Sequence, residues 1–410
     1  MQLLRRQSKH MSGIERKITE WIENNICVIA FAFVFIAGCV IRTYLRRYVS
    51  NDASTFLLPW YEEIKKNGSL KGLGIQVGNY NVMYQFFIAI FTYLPIKALY
   101  SYKIFSCIFD IMLAFLGILF YRELSEQKSE WMELLIFSMI YLSPIVFLNS
   151  AAWAQCDSIY VFFCILTMYL MMKEKYGFAM CAYGLAFAFK LQAVFLLPFL
   201  LICYLRSRKF SVYKFINVFI MLGITMIPGV VCGRSFLDVF HIYMGQAKDN
   251  VGRITLNYPS FWNLLYTSES GHLKSEIRVI AVLLTVCVLG MQYIWIVKRD
   301  IQMTKSNCLW IAFLTSYSCV LFLPAMHERY GFLYEILALF IILSDKSTLK
   351  FMIPMYLCTF STYGYYLFSK SYNIMLVSLV NVAIFLLYLV HYIKRVSSEC
   401  TLGKVGSEGE

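Results

Sequence analysis

Four groups of polar residues interrupt the long apolar stretches of this 410-residue chain. A carboxylate can take a proton from a hydroxyl group, and cationic side chains can hold a phosphate. Indole, amide and carboxylate side chains together are typical of sugar binding. These residue types therefore predict a site for proton transfer and for binding a phosphate or a sugar, provided that the fold brings them together. The groups are Asp52; Trp153, Gln155, Asp157 and Ser158; Lys190 and Gln192; and His327, Glu328, Arg329 and Tyr330.

The first two groups also have purely structural interpretations. Asp52 follows Arg46 and Arg47 and precedes an amphipathic segment, so it could cap a helix instead of acting as a base, or do both. The run from Trp153 to Ser158 could be a tight turn that combines an interfacial indole with a helix cap. The local sequence leaves both alternatives open.

The other two groups have alternatives of the same kind. Lys190 could bind a phosphate, because a lysine inside an apolar run needs a counter-charge, or it could snorkel to water at a turn. His327 to Tyr330 could supply donors to a phosphate or a sugar, or form a solvated turn with an internal ion pair between Glu328 and Arg329. Asp110 and Glu335 lie within apolar runs, and for these two we expect structural pairing between helices.

The elements that must position these residues are predicted by composition. Hydrophobic residues make up 60% of the chain and charged residues 15%, and the mean hydropathy is +0.63. This apolar surface exceeds what one soluble core could bury. Because the apolar runs are continuous and do not alternate, helices are favoured over a barrel. The sequence therefore predicts an all-α, polytopic integral membrane protein that forms one membrane domain over residues 1–410.

About twelve segments are apolar enough to be predicted as membrane spans, each near the roughly 20 residues that a crossing needs or somewhat shorter. With the N-terminus in the cytoplasm, the short loops rich in Lys and Arg fall inside, as positively charged loops tend to do. All four polar groups then fall on the outer face. The predicted spans are residues 26–42, 101–121, 132–149, 157–172, 177–189, 193–205, 215–231, 278–297, 307–323, 332–344, 350–367 and 374–393.

Two outer loops are long in this topology, residues 43–100 and 232–277. The first contains a predicted amphipathic helix at 53–66 and an apolar segment at 83–99 that we expect to lie along the membrane or to dip into it. If this segment crossed the membrane fully, all later loops would change sides, and the loops rich in Lys and Arg would fall outside. Residues 397–410 are predicted to be a short cytoplasmic tail.

Charge and cysteine content narrow the function classes. The formal net charge is +13, but the cations are dispersed among apolar segments, so no nucleic-acid partner is expected. The 13 cysteines form no CxxC pair and no Cys/His cluster at metal-ligand spacing. The sequence predicts neither a zinc site nor a disulfide framework.

The order of the polar residues resembles the bacterial relatives of the second mannosyltransferase of GPI-anchor synthesis, which are type C (GT-C) glycosyltransferases. The likeness covers roughly residues 40–335. It is carried by Asp52; Asn79, Tyr80 and Tyr84; Lys103 and Asp110; Trp153, Gln155, Asp157 and Ser158; Lys190, Gln192 and Pro198; and Pro324, His327, Glu328, Arg329 and Tyr330.

This resemblance implies a polytopic enzyme that uses a polyprenyl-phosphate sugar. Asp52 would be the catalytic base, flanked by membrane-parallel helices at 53–66 and 83–99. Many relatives have two acidic residues at this point, whereas here Asn51 precedes a single Asp52, so we expect no carboxylate-bound metal. No cofactor is expected, because the lipid-linked donor is a substrate.

The other predicted site residues fall into two sets. Donor-phosphate binding is assigned to cations that would stabilise the departing phosphate, namely Lys190, Arg329 and His327. Sugar or acceptor binding is assigned to Tyr80, Trp153, Gln155, Asp157, Gln192, Glu328 and Tyr330.

The resemblance implies an inverting hexosyl transfer, with mannose or a similar sugar, at the extracytoplasmic face of a bacterial plasma membrane. The expected partners are a polyprenyl-phosphate sugar donor, a glycan or glycolipid acceptor of the cell envelope, and membrane lipid. Two other functions stay open. A flippase or transporter of lipid-linked sugars would need polar groups near the middle of the membrane, and a polysaccharide polymerase would use a diphosphate-linked repeat unit.

Overall fold

The computed structural model describes residues 11–125, 128–248, 253–266 and 275–407. Over these residues the chain is helical and contains no strand, which confirms the predicted all-α fold class. The α-helices are α1 (Gly13–Asn24), α2 (Ile26–Leu45), α3 (Leu58–Lys66), α4 (Val82–Phe91), α5 (Ala98–Leu124), α6 (Glu130–Tyr141), α7 (Pro144–Phe147), α8 (Asp157–Met172), α9 (Tyr176–Phe189), α10 (Leu197–Ser207), α11 (Ile216–Val231), α12 (Asp238–Lys248), α13 (Ser275–Lys298), α14 (Lys305–Phe322), α15 (Phe332–Ser344), α16 (Leu349–Phe368) and α17 (Ile374–Ser407).

Each of the twelve predicted spans falls on helix, and the chain is a multi-pass membrane protein. Within the described residues, six helical segments are both long and apolar enough to cross a membrane, at 26–45, 98–124, 130–152, 212–231, 276–298 and 374–398. Helices α8, α9 and α15 are apolar but shorter, with 16, 14 and 13 residues. The count of about twelve crossings therefore stays a prediction.

The middle of the bundle is formed by helices that are buried along most of their length. Helix α8 packs between α5 and α9, and α11 packs against α9. In α14 every residue from Leu309 to Leu321 is buried. Helices α2, α13 and α17 instead expose large apolar side chains, among them Phe33, Met291 and Leu379. Such an outer surface suits contact with lipid.

Basic residues from the predicted inner loops meet at the ends of the helices. Glu123, at the end of α5, forms ion pairs with Lys173 and with Lys305, the latter at 3.2 Å. Arg206 contacts Asp300 at 2.6 Å. These loops therefore share one end of the bundle, as the alternating topology requires.

The loop between α2 and α5 is largely helical. A π-helical turn (Ala53–Leu57) leads into α3, which ends before Gly68, where φ is +88°. This agrees with the helix predicted over residues 53–66. The second predicted segment, 83–99, differs: α4 ends at Phe91, and Pro95 lies in a turn before α5, because proline disrupts helical hydrogen bonding. With 10 residues, α4 is about 15 Å long and too short to cross.

Two further predicted segments contain helix. Helix α17 continues to Ser407, so residues 397–407 of the predicted tail are helical, and residues 394–402 contain neither glycine nor proline to end the helix earlier. The cytoplasmic position of this tail stays a prediction. The second long loop contains α12 and a 3₁₀ turn (Phe261–Leu264). Parts of that loop, residues 249–252 and 267–274, lie outside the described residues, as do residues 408–410 of the predicted tail.

Candidate active site

Four side chains donate hydrogen bonds to the carboxylate of Asp52. Trp153 Nε1 and Gln155 Nε2 lie 3.0 Å and 2.8 Å from Oδ2. Arg329 Nη1 lies 3.5 Å from the same oxygen, and the Tyr366 hydroxyl donates to Oδ1. These donors come from three separate parts of the chain, namely the connection before α8, the connection before α15, and α16, so the carboxylate is fixed from several sides at once.

The capping alternative for Asp52 is wrong, because its side chain makes no bond to the start of the following helix. Ser50 takes that position: its hydroxyl accepts a hydrogen bond from the Ala53 amide at 3.2 Å and donates to the Trp153 carbonyl at 2.9 Å. Asp52 is thus left to face the side chains of the neighbouring segments.

An irregular segment between α7 and α8 presents two of the Asp52 donors. Residues Leu148–Ala152 form a π-helical turn, and Ala154 has a φ of +64°, a conformation that is unfavourable for a residue with a side chain. This strained turn points Trp153 and Gln155 at Asp52. The Trp153 ring is fully buried and stacks on Tyr366 at 4.5 Å between centroids, so it is not an interfacial indole on a turn.

A second carboxylate, Asp157 at the start of α8, lies behind the first. Its oxygens accept hydrogen bonds from Lys190 Nζ at 2.5 Å and Asn149 Nδ2 at 2.9 Å, and Arg329 Nε lies 3.5 Å away. Lys190 is only 6% exposed, which rules out the snorkelling alternative. Asp157 is fully buried, and its carboxylate neutralises cations instead of capping α8.

The connection between α14 and α15 carries His327 to Tyr330. The predicted pair forms, with Arg329 Nη1 3.4 Å from Glu328 Oε1, but Glu328 is only 2% exposed, so the solvated-turn alternative is wrong. His327 Nδ1 lies 3.8 Å from Glu328 Oε2. That Glu328 oxygen is buried and has no hydrogen-bond donor among the described residues.

Ionisation in this connection is set by burial and by the carboxylates. Burial by itself lowers the pKa of Arg329, but Asp157, Asp52 and Glu328 raise it well above its ordinary value. Burial raises the pKa of Tyr330 to about 12. Arg329 therefore stays cationic and Tyr330 stays neutral at any physiological pH.

One cavity of about 700 Å³ joins these groups, within the range usual for small-molecule sites. The two predicted site residues that do not line it are Trp153 and Asp157, which lie behind its wall. The structure thus brings the four polar groups together, as their placement at one face predicted. The predicted residues that line the cavity are Asp52, Tyr80, Gln155, Lys190, Gln192, His327, Glu328, Arg329 and Tyr330.

Sequence reasoning missed several lining residues, including Tyr366, Trp60, Phe56, Arg253 and Arg278. Trp60 and Phe56 lie on the predicted amphipathic segment, Arg253 lies in the second long outer loop, and Arg278 is the first residue of a predicted span. The cation at each of the last two positions was a usable signal. Tyr366 lies in a tyrosine-rich apolar run and carries no such signal. With these additions the lining contains four Lys or Arg residues and two carboxylates.

Among the residues that the structure describes, no group of three His, Cys, Asp or Glu side chains is placed to hold a metal ion. The lining contains carboxylates, cations and hydrogen-bonding side chains, and these are the kinds of group that can assist group transfer from a phosphate.

Comparison with known proteins agrees with this chemistry. Residues 79–324 match glycosyltransferase family 87, and this match covers more than half of the chain. The chain belongs to glycosyltransferase family 87. No curated protein matches it. As a family 87 member it is a membrane glycosyltransferase, which confirms the expected enzyme class at this level.

The family 87 match includes Tyr80, Gln155 and Lys190 of the cavity. Asp52 precedes the matched residues, and His327 to Tyr330 follow them. Any role for these residues outside the match must therefore be inferred from the geometry of the site.

Proposed function

We propose that this family 87 protein transfers a hexose, mannose or a similar sugar, from a polyprenyl-phosphate donor to a glycan or glycolipid acceptor of the cell envelope. One observation carries the proposal: Asp52, held by four donors, lines the same cavity as four cationic side chains. A base and a phosphate-binding region in one cavity are what transfer from a lipid phosphate requires.

The proposed reaction is a single displacement with inversion. Asp52 accepts the proton of an acceptor hydroxyl while the hydroxyl oxygen forms a bond to the anomeric carbon. The bond from that carbon to the phosphate oxygen breaks, and polyprenyl phosphate leaves with the electron pair. General-base assistance contributes about 10²- to 10⁴-fold in rate. The four donors to Asp52 support this role, because they hold its carboxylate in one orientation.

For the phosphate we propose Arg329 and His327, as predicted, together with Arg253. Arg329 lies between Asp52 and Glu328 and can stabilise negative charge as it develops on the leaving group. Arg253 is exposed at the cavity and forms no ion pair with another described residue. Lys190 is neutralised by Asp157 at 2.5 Å, so we propose that it mainly fixes that carboxylate.

For sugar hydroxyls we propose the polar side chains of the lining, Tyr80, Gln155, Gln192, Glu328 and Tyr330. Glu328 has the clearest support, because a buried carboxylate oxygen without a donor is costly and a sugar hydroxyl can supply the missing hydrogen bond. Trp153 and Asp157 are fully buried, so we propose that they position Asp52, Lys190 and Arg329 without contacting the sugar.

Part of the cavity lining is apolar and suits the first isoprene units of the donor. It includes Phe56, Leu57, Leu191, Phe195 and Met326. The lining segments connect the ends of α2, α8, α9, α14 and α15, whereas a transporter needs its polar site near the middle of its helices. We therefore favour a glycosyltransferase over a flippase, with its active site at the extracytoplasmic face of a bacterial plasma membrane.

The experiment incubates the full-length protein in lipid nanodiscs with a panel of polyprenyl-phosphate hexoses and glycan acceptors, and follows products by mass spectrometry. We expect one donor to give a glycosylated acceptor and free polyprenyl phosphate, and Asp52→Asn to abolish both. Asp300→Asn, a 79% exposed carboxylate at the other end of the bundle, is the matched control. Turnover of no donor, or full activity in Asp52→Asn with an unchanged melting temperature, would overturn the proposal.

A further inference from the structure

A second cavity of about 390 Å³ adjoins the catalytic one. It is formed by the loop before α4 and by one side of α12. The two cavities share two lining residues, Asn79 and Gln246. The Gln246 side-chain amide donates a hydrogen bond to the Asn79 carbonyl, so this contact forms the border between the two cavities.

One wall of the second cavity is held by the hydrogen bonds of Arg234 and Gln76. Arg234 is 4% exposed and donates hydrogen bonds to the Gln76 side chain, to Gln85 Oε1 at 3.4 Å and to Asp238 Oδ2 at 3.2 Å. Gln76 Nε2 in turn donates to the carbonyls of Gly78 at 2.7 Å and Tyr80 at 2.8 Å. The polar groups of this cavity are thus held by a connected network.

This network reaches the catalytic carboxylate through Tyr80. The Tyr80 hydroxyl lies 3.3 Å from Gln155 Oε1, and Gln155 Nε2 lies 2.8 Å from Asp52. Helix α12 is fixed to the same region, because Tyr243 accepts a hydrogen bond from Asn81 at 3.0 Å and donates to the Phe187 carbonyl at 2.6 Å. A molecule that extends from Asp52 past Tyr80 and Asn79 would therefore enter the second cavity.

The charge of the second cavity differs from that of the first. Its single arginine, Arg234, pairs with its single carboxylate, Asp238, so it has no excess of cations to attract a phosphate. The remaining polar lining consists of the amides Gln76, Asn79 and Gln246 and of His241. Amide and imidazole groups can both donate to and accept from ring hydroxyls, and a carboxylate can accept from them. The lining therefore suits a neutral sugar better than a lipid phosphate.

We propose that the second cavity binds the sugar unit that precedes the reacting unit of the acceptor, so that the acceptor is a glycan of at least two sugars. This inference rests on the proposed function. It assigns the donor to the catalytic cavity and the non-reacting part of the acceptor to α12 and the loop at residues 76–79.

Gly245 offers a direct test, because it lines the second cavity and a Cβ atom added there meets nothing within 4 Å. In Gly245→Phe the new ring can fill the cavity without disturbing the hydrogen bonds of Arg234 and Gln76. Met244→Phe, one position earlier on α12 and 55% exposed, is the matched control. Gln246→Ala is a second variant, which removes a hydrogen-bonding group at the border.

The substrates are octyl glycosides of mannose, glucose and galactose with one, two or three sugar units. For the best acceptor of two units we expect Gly245→Phe to raise KM at least about tenfold, the effect of losing roughly one good hydrogen bond. Gln246→Ala should also raise KM for this two-unit acceptor. In Gly245→Phe, KM for the donor, transfer to the one-unit acceptor and hydrolysis of the donor by water should stay within about twofold.

Equal effects of Gly245→Phe on one-unit and two-unit acceptors, or a change in the donor KM alone, would overturn the subsite. Isothermal titration of the free two-unit glycoside gives a readout that does not depend on turnover. Binding to the unmodified protein that is lost in Gly245→Phe and kept in Met244→Phe supports the subsite, even if no tested donor is turned over. Binding that Gly245→Phe leaves unchanged overturns it.

Discussion

The ammonium group of Lys190 lies 2.5 Å from the carboxylate of Asp157, and the two side chains are 6% and 0% exposed. They stand 33 positions apart in the chain and join the end of α9 to the start of α8. A buried ion pair of this kind contributes little net stability as a pair, but each partner depends on the other. Asp157 also lies 3.5 Å from Arg329, so this pair supports the wall of the cavity that Asp52 and Arg329 line.

Lys190→Met should destabilise the protein by about 3–5 kcal/mol, because it removes one of the charges that compensate buried Asp157. Lys190→Met combined with Asp157→Leu should recover most of this loss. Melting temperatures in detergent would test both expectations. Lys209→Met breaks an ion pair whose side chains are more than half exposed, and it should change the melting temperature little. A double variant no more stable than the single one would contradict this account.

Tyr366→Phe should lower kcat about 10- to 100-fold and leave the donor KM nearly unchanged. The substitution removes the hydroxyl that donates to Asp52 Oδ1, and a hydrogen bond to a charged group is worth about 1.5–3 kcal/mol. Steady-state kinetics in nanodiscs would measure the change. Tyr365→Phe, on the exposed side of the same helix, is the control. Equal kcat values for the two variants would show that Tyr366 does not support the base.

The sequence predicts which residues share one end of the bundle, because spans alternate in direction and positive loops mark one side. This is enough to place Asp52 with Lys190 and Arg329. It does not predict pairing within that end. The contact between Tyr366 and Asp52 joins positions 314 apart, and such a contact depends on how α16 packs and not on any local pattern.

Local interpretations failed where tertiary contacts replaced local ones. Asp before an amphipathic segment usually caps it, but Asp52 is drawn away by donors from three other parts of the chain, and Ser50 caps instead. In the same way, Lys190 pairs with buried Asp157 and does not extend to water. The strained turn at Ala154 is also invisible in the sequence, since alanine ordinarily avoids a positive φ.

Arg253→Ala should raise the donor KM about tenfold, while Arg253→Lys keeps most of the affinity. Arg253 adds positive charge to the cavity lining, and a lysine at the same place still provides a point charge for phosphate. Inhibition constants for free polyprenyl phosphate should follow the same order, because the product keeps the phosphate. The control is Arg208→Ala, which removes an exposed arginine at the C-terminal end of α10. Unchanged donor and product affinities in Arg253→Ala would remove this residue from the phosphate site.

A second buried network holds the strained turn in place. Arg42 on α2 donates to Asp110 Oδ2 through Nε at 3.0 Å and Nη2 at 2.9 Å, which confirms the structural pairing expected for Asp110. Ser150 and Ser158, on either side of Trp153, both donate to the same carboxylate at 2.5 Å. Asp110 therefore links α2 to the segment that supplies two donors to Asp52.

Asp110→Asn should destabilise the protein, since Arg42 would lose its buried counter-charge. The double variant Arg42→Leu with Asp110→Leu should recover stability but keep a kcat about 10- to 100-fold below that of the unmodified protein. The two serines lose their shared acceptor in this variant, and a displacement of about 1 Å in a positioning group can cost about 100-fold in rate. Comparing melting temperature with kcat separates the two effects.

The matched control replaces Arg122 and Glu133 by leucine, because that pair connects α5 and α6 at the opposite end of the bundle. It should leave kcat unchanged. If the Arg42 and Asp110 double variant had normal stability and also normal kcat, the network would be a structural link alone. A reduced kcat at recovered stability would instead show that Asp52 depends on where Trp153 and Gln155 stand.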